Sequence, residues 1–162
     1  MISTEHVIAE SPFTIRRRVK WSDCDPAGVV YTVMFAEYVM SAAELFYGFL
    51  FESTPQRAKD EHGFGTPTGG LKLDFRRSLR PDEEFEMTVS IAEIRTRSYV
   101  LTIEANTLQG EAVFNAELTP ICIARGERRA IDIPPVFRRV LEQYRGGLGA
   151  SQVSTATNQD QG

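Results

Sequence analysis

The chain is poor in the residues that most metal and nucleophile chemistries use. Its 162 residues include only two cysteines and two histidines. Cys24 and Cys122 lie far apart with no Cys-x-x-Cys spacing, which points to neither a zinc site nor a disulfide framework and fits a reducing, cytoplasmic compartment. His6 and His62 are too few and too scattered to support a Ser-His-Asp or Cys-His triad. Excess positive charge is also lacking: the formal net charge is -4, which argues against a surface adapted to nucleic acid. The first residues, Met1 to Pro12, lack both the basic start and the apolar run of a secretory signal, so the mature N-terminus is expected close to Met1.

One long apolar run exists, from Val29 to Phe51. It is long enough to span a bilayer. Glu37 and Glu44 inside it would each cost on the order of 2.5–3.5 kcal/mol at a membrane centre, and no Lys or Arg flanks it as an anchor, so it reads as a core helix and no membrane partner is expected. With 42% hydrophobic and 25% charged residues, the remainder has the balance of one globular domain, placed at residues 1–145. Residues 146–162 are small, polar and aperiodic, and read as a disordered tail.

Phe13, Ile15, Val19 and Trp21 alternate with polar residues, the period of a half-buried strand, and Arg17 alone interrupts the apolar face. Ser22 to Gly28 then supplies Asp, Pro and Gly for a turn. From Thr32 the Met-, Ala-, Leu- and Glu-rich run predicts a helix of roughly four to five turns, apolar nearly all round and therefore enclosed. Glu52 to Gly70, with two prolines and a Gly/Thr cluster, reads as an irregular connection. Four alternating segments follow, beginning near Leu71, Phe85, Tyr99 and Ala112; the second slips phase at Ala92–Ile94, as a β-bulge would, and the last is expected to run past Pro120 to Ala124. Val136 to Tyr144 predicts a short amphipathic helix. One enclosed helix and a curved antiparallel sheet are most simply accommodated by wrapping the sheet around the helix, an α+β arrangement with five strands.

Trp21-Ser22-Asp23-Cys24-Asp25-Pro26-Ala27-Gly28-Val29-Val30-Tyr31 resembles the signature of the 4-hydroxybenzoyl-CoA thioesterase family, and the likeness extends more loosely from Phe13 to Pro134. The resemblance implies a hotdog fold, hydrolysis of an acyl-CoA thioester, and Asp25 as the catalytic carboxylate. It also implies Thr32 as the backbone oxyanion donor, with a homodimer or homotetramer as the working form.

The chemistry is coherent on its own terms. A thioester carbonyl is attacked either by a carboxylate, giving an anhydride that water opens, or by water that a carboxylate deprotonates. Aspartate, with a reference pKa of about 3.9, is ionised at neutral pH unless burial raises it. No metal or other cofactor is required. Gly28 would let backbone approach the substrate, Pro26 would stiffen the loop, and the first turn of the helix offers amide donors. Cys24, between two acids, would be a poor nucleophile. The alternative for this segment is a turn in which Asp23 or Asp25 merely caps the helix.

Tyr31, Met34, Glu37 and Met40 are placed toward the substrate. Where the family commonly shows Pro-Asn-Tyr, this chain has Val33-Met34-Phe35, which points to an apolar acyl group. Glu37, Ser41 and Glu44 form a polar stripe that either supplies a second acid or reaches solvent or an arginine. Arg95, Arg97 and Ser98 resemble the family's nucleotide-contacting segment, with Arg128 on a second basic turn; as surface arginines they could equally only be solvated. Three activities remain open at this level. An acyl-carrier-protein thioesterase would need a partner-protein surface instead of phosphate contacts, and a non-catalytic acyl-CoA-binding domain would not need Asp25.

Overall fold

The computed structural model describes residues 3–147, so nearly all of the tail expected at 146–162 lies outside the described residues. The strands are β1 (Glu5–Glu10), β2 (Phe13–Arg18), β3 (Phe64–Gly65), β4 (Thr68–Phe75), β5 (Glu84–Ile94), β6 (Tyr99–Thr107), β7 (Ala112–Pro120) and β8 (Ile123–Ala124). The helices are α1 (Thr32–Phe51), α2 (Pro55–His62) and α3 (Pro135–Arg145). Six strands form one antiparallel sheet in the order β1-β2-β5-β6-β7-β4, and β3 and β8 pair separately. The sheet wraps around α1, the expected hotdog arrangement, with one strand more than the five expected.

Alternation explains the sheet. Phe85, Met87, Val89 and Ile91 on β5 and Leu101, Ile103 and Ala105 on β6 point inward and are buried against α1. The bulge falls where the phase slip predicts it, between Ile91 and Glu93. By length and composition α1 is apolar enough to cross a membrane, yet Phe35, Tyr38, Val39, Ala42, Phe46, Tyr47 and Leu50 are buried in this core. Phe13 stacks on Phe49 at 4.9 Å, so α1 runs antiparallel to β2, its start near Arg18 and its end near Phe13. The Tyr144 hydroxyl accepts from the Phe13 N–H (2.9 Å) and donates to the Val89 carbonyl (2.6 Å), locking α3 across two strands.

Three expectations are corrected. The sheet has six strands and not five, the additional one being β1 at its edge. Glu52–Gly70 is not wholly irregular: Pro55 at the first turn and Gly63 in the left-handed region (φ 70°) bound α2, a helix with only Ala58 buried. The last long strand stops at Pro120, which has no N–H to extend a ladder; the chain steps away before resuming as β8. Gly48 permits the turn that seats α2, because a Cβ there would stand 2.8 Å from the Ser53 carbonyl.

Candidate functional site

After β2 the chain makes a single 3-10 turn at Trp21–Asp23. Asp23 is 2% exposed. Its carboxylate accepts from the Lys20 N–H (3.0 Å) and from the Tyr38 hydroxyl on α1 (2.8 Å), and its carbonyl accepts from the Tyr31 N–H (3.3 Å). Asp23 therefore closes the 3-10 turn and ties the loop to the flank of α1; it does not cap α1. Burial, and then donation to Asp23, push the Tyr38 hydroxyl far above the ordinary phenol range, so it acts as a fixed donor.

Asp25 sits in a turn closed on itself. Its N–H donates to the Val29 carbonyl, the Gly28 N–H donates to the Asp25 carbonyl, and the Ala27 N–H donates to Asp25 Oδ1, all at 2.9 Å. A bridge between Cys24 and Val30 holds the base of the turn. The carboxylate is half-buried, and Oδ2 accepts no hydrogen bond among the described residues. Burial, followed by the charges of Asp23 and Asp25, raises the Cys24 thiol pKa, which disfavours a thiolate there. Gly28 has φ 80°, and no heavy atom lies within 4 Å of where its Cβ would stand. Gly28→Ala is therefore expected to cost about 1–2 kcal/mol through backbone conformation alone. Urea unfolding should show a lower midpoint with an unchanged m-value; an unchanged midpoint would show that the turn relaxes to negative φ.

Two residues beyond the bridge, α1 begins without a cap. Tyr31 at the N-cap is extended (φ -78°, ψ 153°), offers no side-chain hydrogen bond, and no acid occupies the first turn. The Met34 N–H donates to the Tyr31 carbonyl (3.0 Å), whereas the N–H groups of Thr32 and Val33 have no acceptor among the described residues. A half-buried carboxylate thus stands just before the amide-rich, electropositive start of a 20-residue helix. Such a pairing can attack or deprotonate on one side of a carbonyl while stabilising its oxyanion on the other.

The remaining candidates separate into two groups. Tyr31 and Thr32 are exposed at the start of α1, Met34 is half-buried against the core, and Glu37 pairs with Arg17 at 3.4 Å. Arg95, Arg97 and Ser98 lie at the β5–β6 hairpin, which packs beside the C-terminal end of α1, and Arg128 lies in the turn after β8. At about 1.5 Å per residue, the 20 residues of α1 put ~30 Å between these ends. Arg95 pairs with Glu93 (3.0 Å) and Arg97 with Asp132 (3.3 Å), while Arg128 has no ion pair among the described residues.

Met40 lies between the groups, at a cavity of about 490 Å³ beneath α2 whose lining also includes Glu44, Tyr47, Lys59, Thr68 and Tyr99. The Thr68 hydroxyl donates weakly to Met40 Sδ (3.7 Å). Lys59, Thr68 and Tyr99 escape the sequence reading because strand pairing and α2, not a motif, bring them together. The Pro55 and Gly63 bounds of α2 were the available signal.

Among curated proteins, none matches the chain. Among solved structures, 4-hydroxybenzoyl-CoA thioesterase from Pseudomonas sp. strain CBS-3 is similar, with a TM-score of 0.69 and 25% identity over 78% of this chain and 96% of that one. A hypothetical protein from Thermus thermophilus matches with a TM-score of 0.71 and 26% identity over 80% and 96% of the two chains. A hypothetical protein from Staphylococcus aureus in complex with CoA shares the fold, with a TM-score of 0.78 at 14% identity over 88% and 89%. A family model described as thioesterase-like superfamily matches residues 19–141, from the end of β2 into α3. The chain belongs to the thioesterase-like superfamily, thioester hydrolases built here on the hotdog fold.

Proposed function

We propose that the protein hydrolyses an acyl-CoA, with Asp25 as nucleophile or general base and the Thr32 amide as an oxyanion donor. The observation that carries this reading is the uncapped first turn of α1, led into by a turn whose Asp25 Oδ2 accepts no hydrogen bond among the described residues. Attack at the carbonyl carbon moves charge onto its oxygen, where the helix amides and dipole stabilise it. Collapse expels the CoA thiolate, and the acid leaves after water opens the anhydride or adds directly.

The site is completed between two copies of the chain. β4 ends the sheet with an open edge, and Leu71 (41%) and Phe75 (47%) on it are exposed. Two β4 strands paired antiparallel about a two-fold axis set the Thr68 end of one beside the Phe75 end of the other. Phe75 packs on Phe35 at 5.1 Å, at the start of α1, and Thr68 meets Met40 at the cavity. The pairing therefore brings Asp25 of one copy toward the cavity of its mate, and it turns the basic hairpin and Arg128 of that mate toward the same side. The ~30 Å separation within one chain is the reason a lone copy is incomplete.

The test is release of free thiol from a panel of acyl-CoAs by wild type and Asp25→Asn; equal rates in both, or none in either, would sink the assignment. The assembly has its own test. Phe75→Asp places a charge in the proposed contact, and sedimentation should show a shift to monomer with at least a tenfold loss of turnover. A fully active monomer would place the whole site within one chain.

A further inference from the structure

We infer that the cavity beneath α2 receives the acyl group, and that this group is a medium or long aliphatic chain and not a single aromatic ring; the first half of this rests on the proposed function above. The burial of the lining gives the cavity a direction. Met40, Glu44, Gln56 and Thr68 are exposed and form a mouth on the side of the β4 edge, where Asp25 of the second copy is brought. Phe46, Tyr47, Tyr99, Leu101 and Leu118 are each at most 6% exposed and form the floor. An acyl chain held by its thioester at that edge enters past Met40 and Thr68, which touch each other at the rim, and runs inward.

Size and chemistry select the class. The volume of about 490 Å³ is about three times the roughly 150 Å³ that accommodates one benzene ring, so a benzoyl group would leave most of it unfilled. The floor is largely hydrocarbon and contains no charged side chain; Glu44 and Lys59, the charged members of the lining, are at least partly exposed. At the mouth Met40 presents its thioether to Thr68, and in the floor the Tyr47 hydroxyl is buried without a partner among the described residues, a neutral polar group set among hydrocarbon. Methylenes entering such a space leave water, and each is expected to raise kcat/KM about threefold to fourfold until the floor is reached.

Ala43 is a half-buried lining residue of α1, and leucine is a good helix former, so Ala43→Leu shortens the space without breaking the helix. The experiment measures kcat/KM of the full chain for acetyl-, butyryl-, octanoyl-, dodecanoyl- and 4-hydroxybenzoyl-CoA, in wild type and Ala43→Leu. It is paired with calorimetric Kd values for the same compounds on Asp25→Asn. The expected result is a rise of at least 10²-fold in kcat/KM from butyryl to the best longer chain, with Ala43→Leu moving the optimum to shorter chains. A preference for acetyl or 4-hydroxybenzoyl, or an optimum that Ala43→Leu does not move, would overturn the inference. If wild type hydrolyses nothing while Kd still tightens with chain length, the catalytic reading fails and the cavity assignment stands; if Kd is flat with chain length, the assignment fails.

Discussion

Replacing Asp25 by asparagine is expected to lower acyl-CoA turnover by about 10²- to 10⁴-fold, the range associated with losing a positioned base, and more if the carboxylate attacks directly. The substitution keeps shape while removing chemistry. Oδ1 of asparagine can still accept from the Ala27 N–H, and the backbone bonds of Asp25 to Val29 and Gly28 do not involve the side chain. The turn should therefore survive, with unfolding free energy changed by less than about 0.5 kcal/mol, as for surface changes that break no network. KM should stay within a few-fold, because the carboxylate acts on the reacting carbon while the acyl and CoA moieties supply the binding. A parallel loss of stability and activity would instead identify Asp25 as a purely structural member of the turn. Unchanged kcat would remove it from the mechanism.

How much of this was legible in the sequence depended on where the signal resided. The Asp25 turn could be read because its chemistry is local: Pro26 fixes one dihedral, Gly28 takes the positive φ, and a helix-forming run follows at once. Strands β5 and β6 could be read because one face is buried, so the period of two survives in the residues. By contrast, β1 is an edge strand with every residue at least partly exposed, so Glu-His-Val-Ile-Ala-Glu carries no alternation. α2 buries only Ala58, and its evidence lay in its end residues, not its period. The separation of Arg95, Arg97, Ser98 and Arg128 from Asp25 was hidden because sequence order does not say at which end of α1 a hairpin packs. Arg17 remained an anomaly for a related reason: its partner Glu5 lies on the strand that patterning could not reveal.

That arginine is the other position where a large effect is expected. Arg17 faces inward from β2, its side chain 6% exposed, and its Nη1 donates to Glu5 Oε2 at 2.8 Å. Its guanidinium lies 4.8 Å from the centre of the Tyr38 ring, and Glu5 Oε1 accepts from the Ser41 hydroxyl at 2.6 Å. Burial works against the charge of Arg17, but the hydrogen bond from Arg17 to Glu5 and the charges of Glu5 and Glu37 outweigh it, so the guanidinium stays charged. Glu37 adds little, because its side chain is 52% exposed. Arg17→Ala leaves Glu5 unpaired, with a side chain only 17% exposed, and opens space under Tyr38. A loss of about 3–5 kcal/mol is expected, the cost of breaking a buried pair from one side. The pair is not saturated, since Arg17 Nε is buried without a partner among the described residues. Arg17→Met combined with Glu5→Gln removes both charges while keeping volume, and should recover most of the loss. Urea unfolding of the two single variants and the double variant gives the coupling directly. Because Tyr38 also holds Asp23, and Asp23 holds the loop that carries Asp25, kcat of the Arg17→Ala protein should fall under conditions where it remains folded. A cost below 1 kcal/mol, or an additive cycle, would mean that water already screens the pair and that Tyr38 and Asp23 hold the loop unaided.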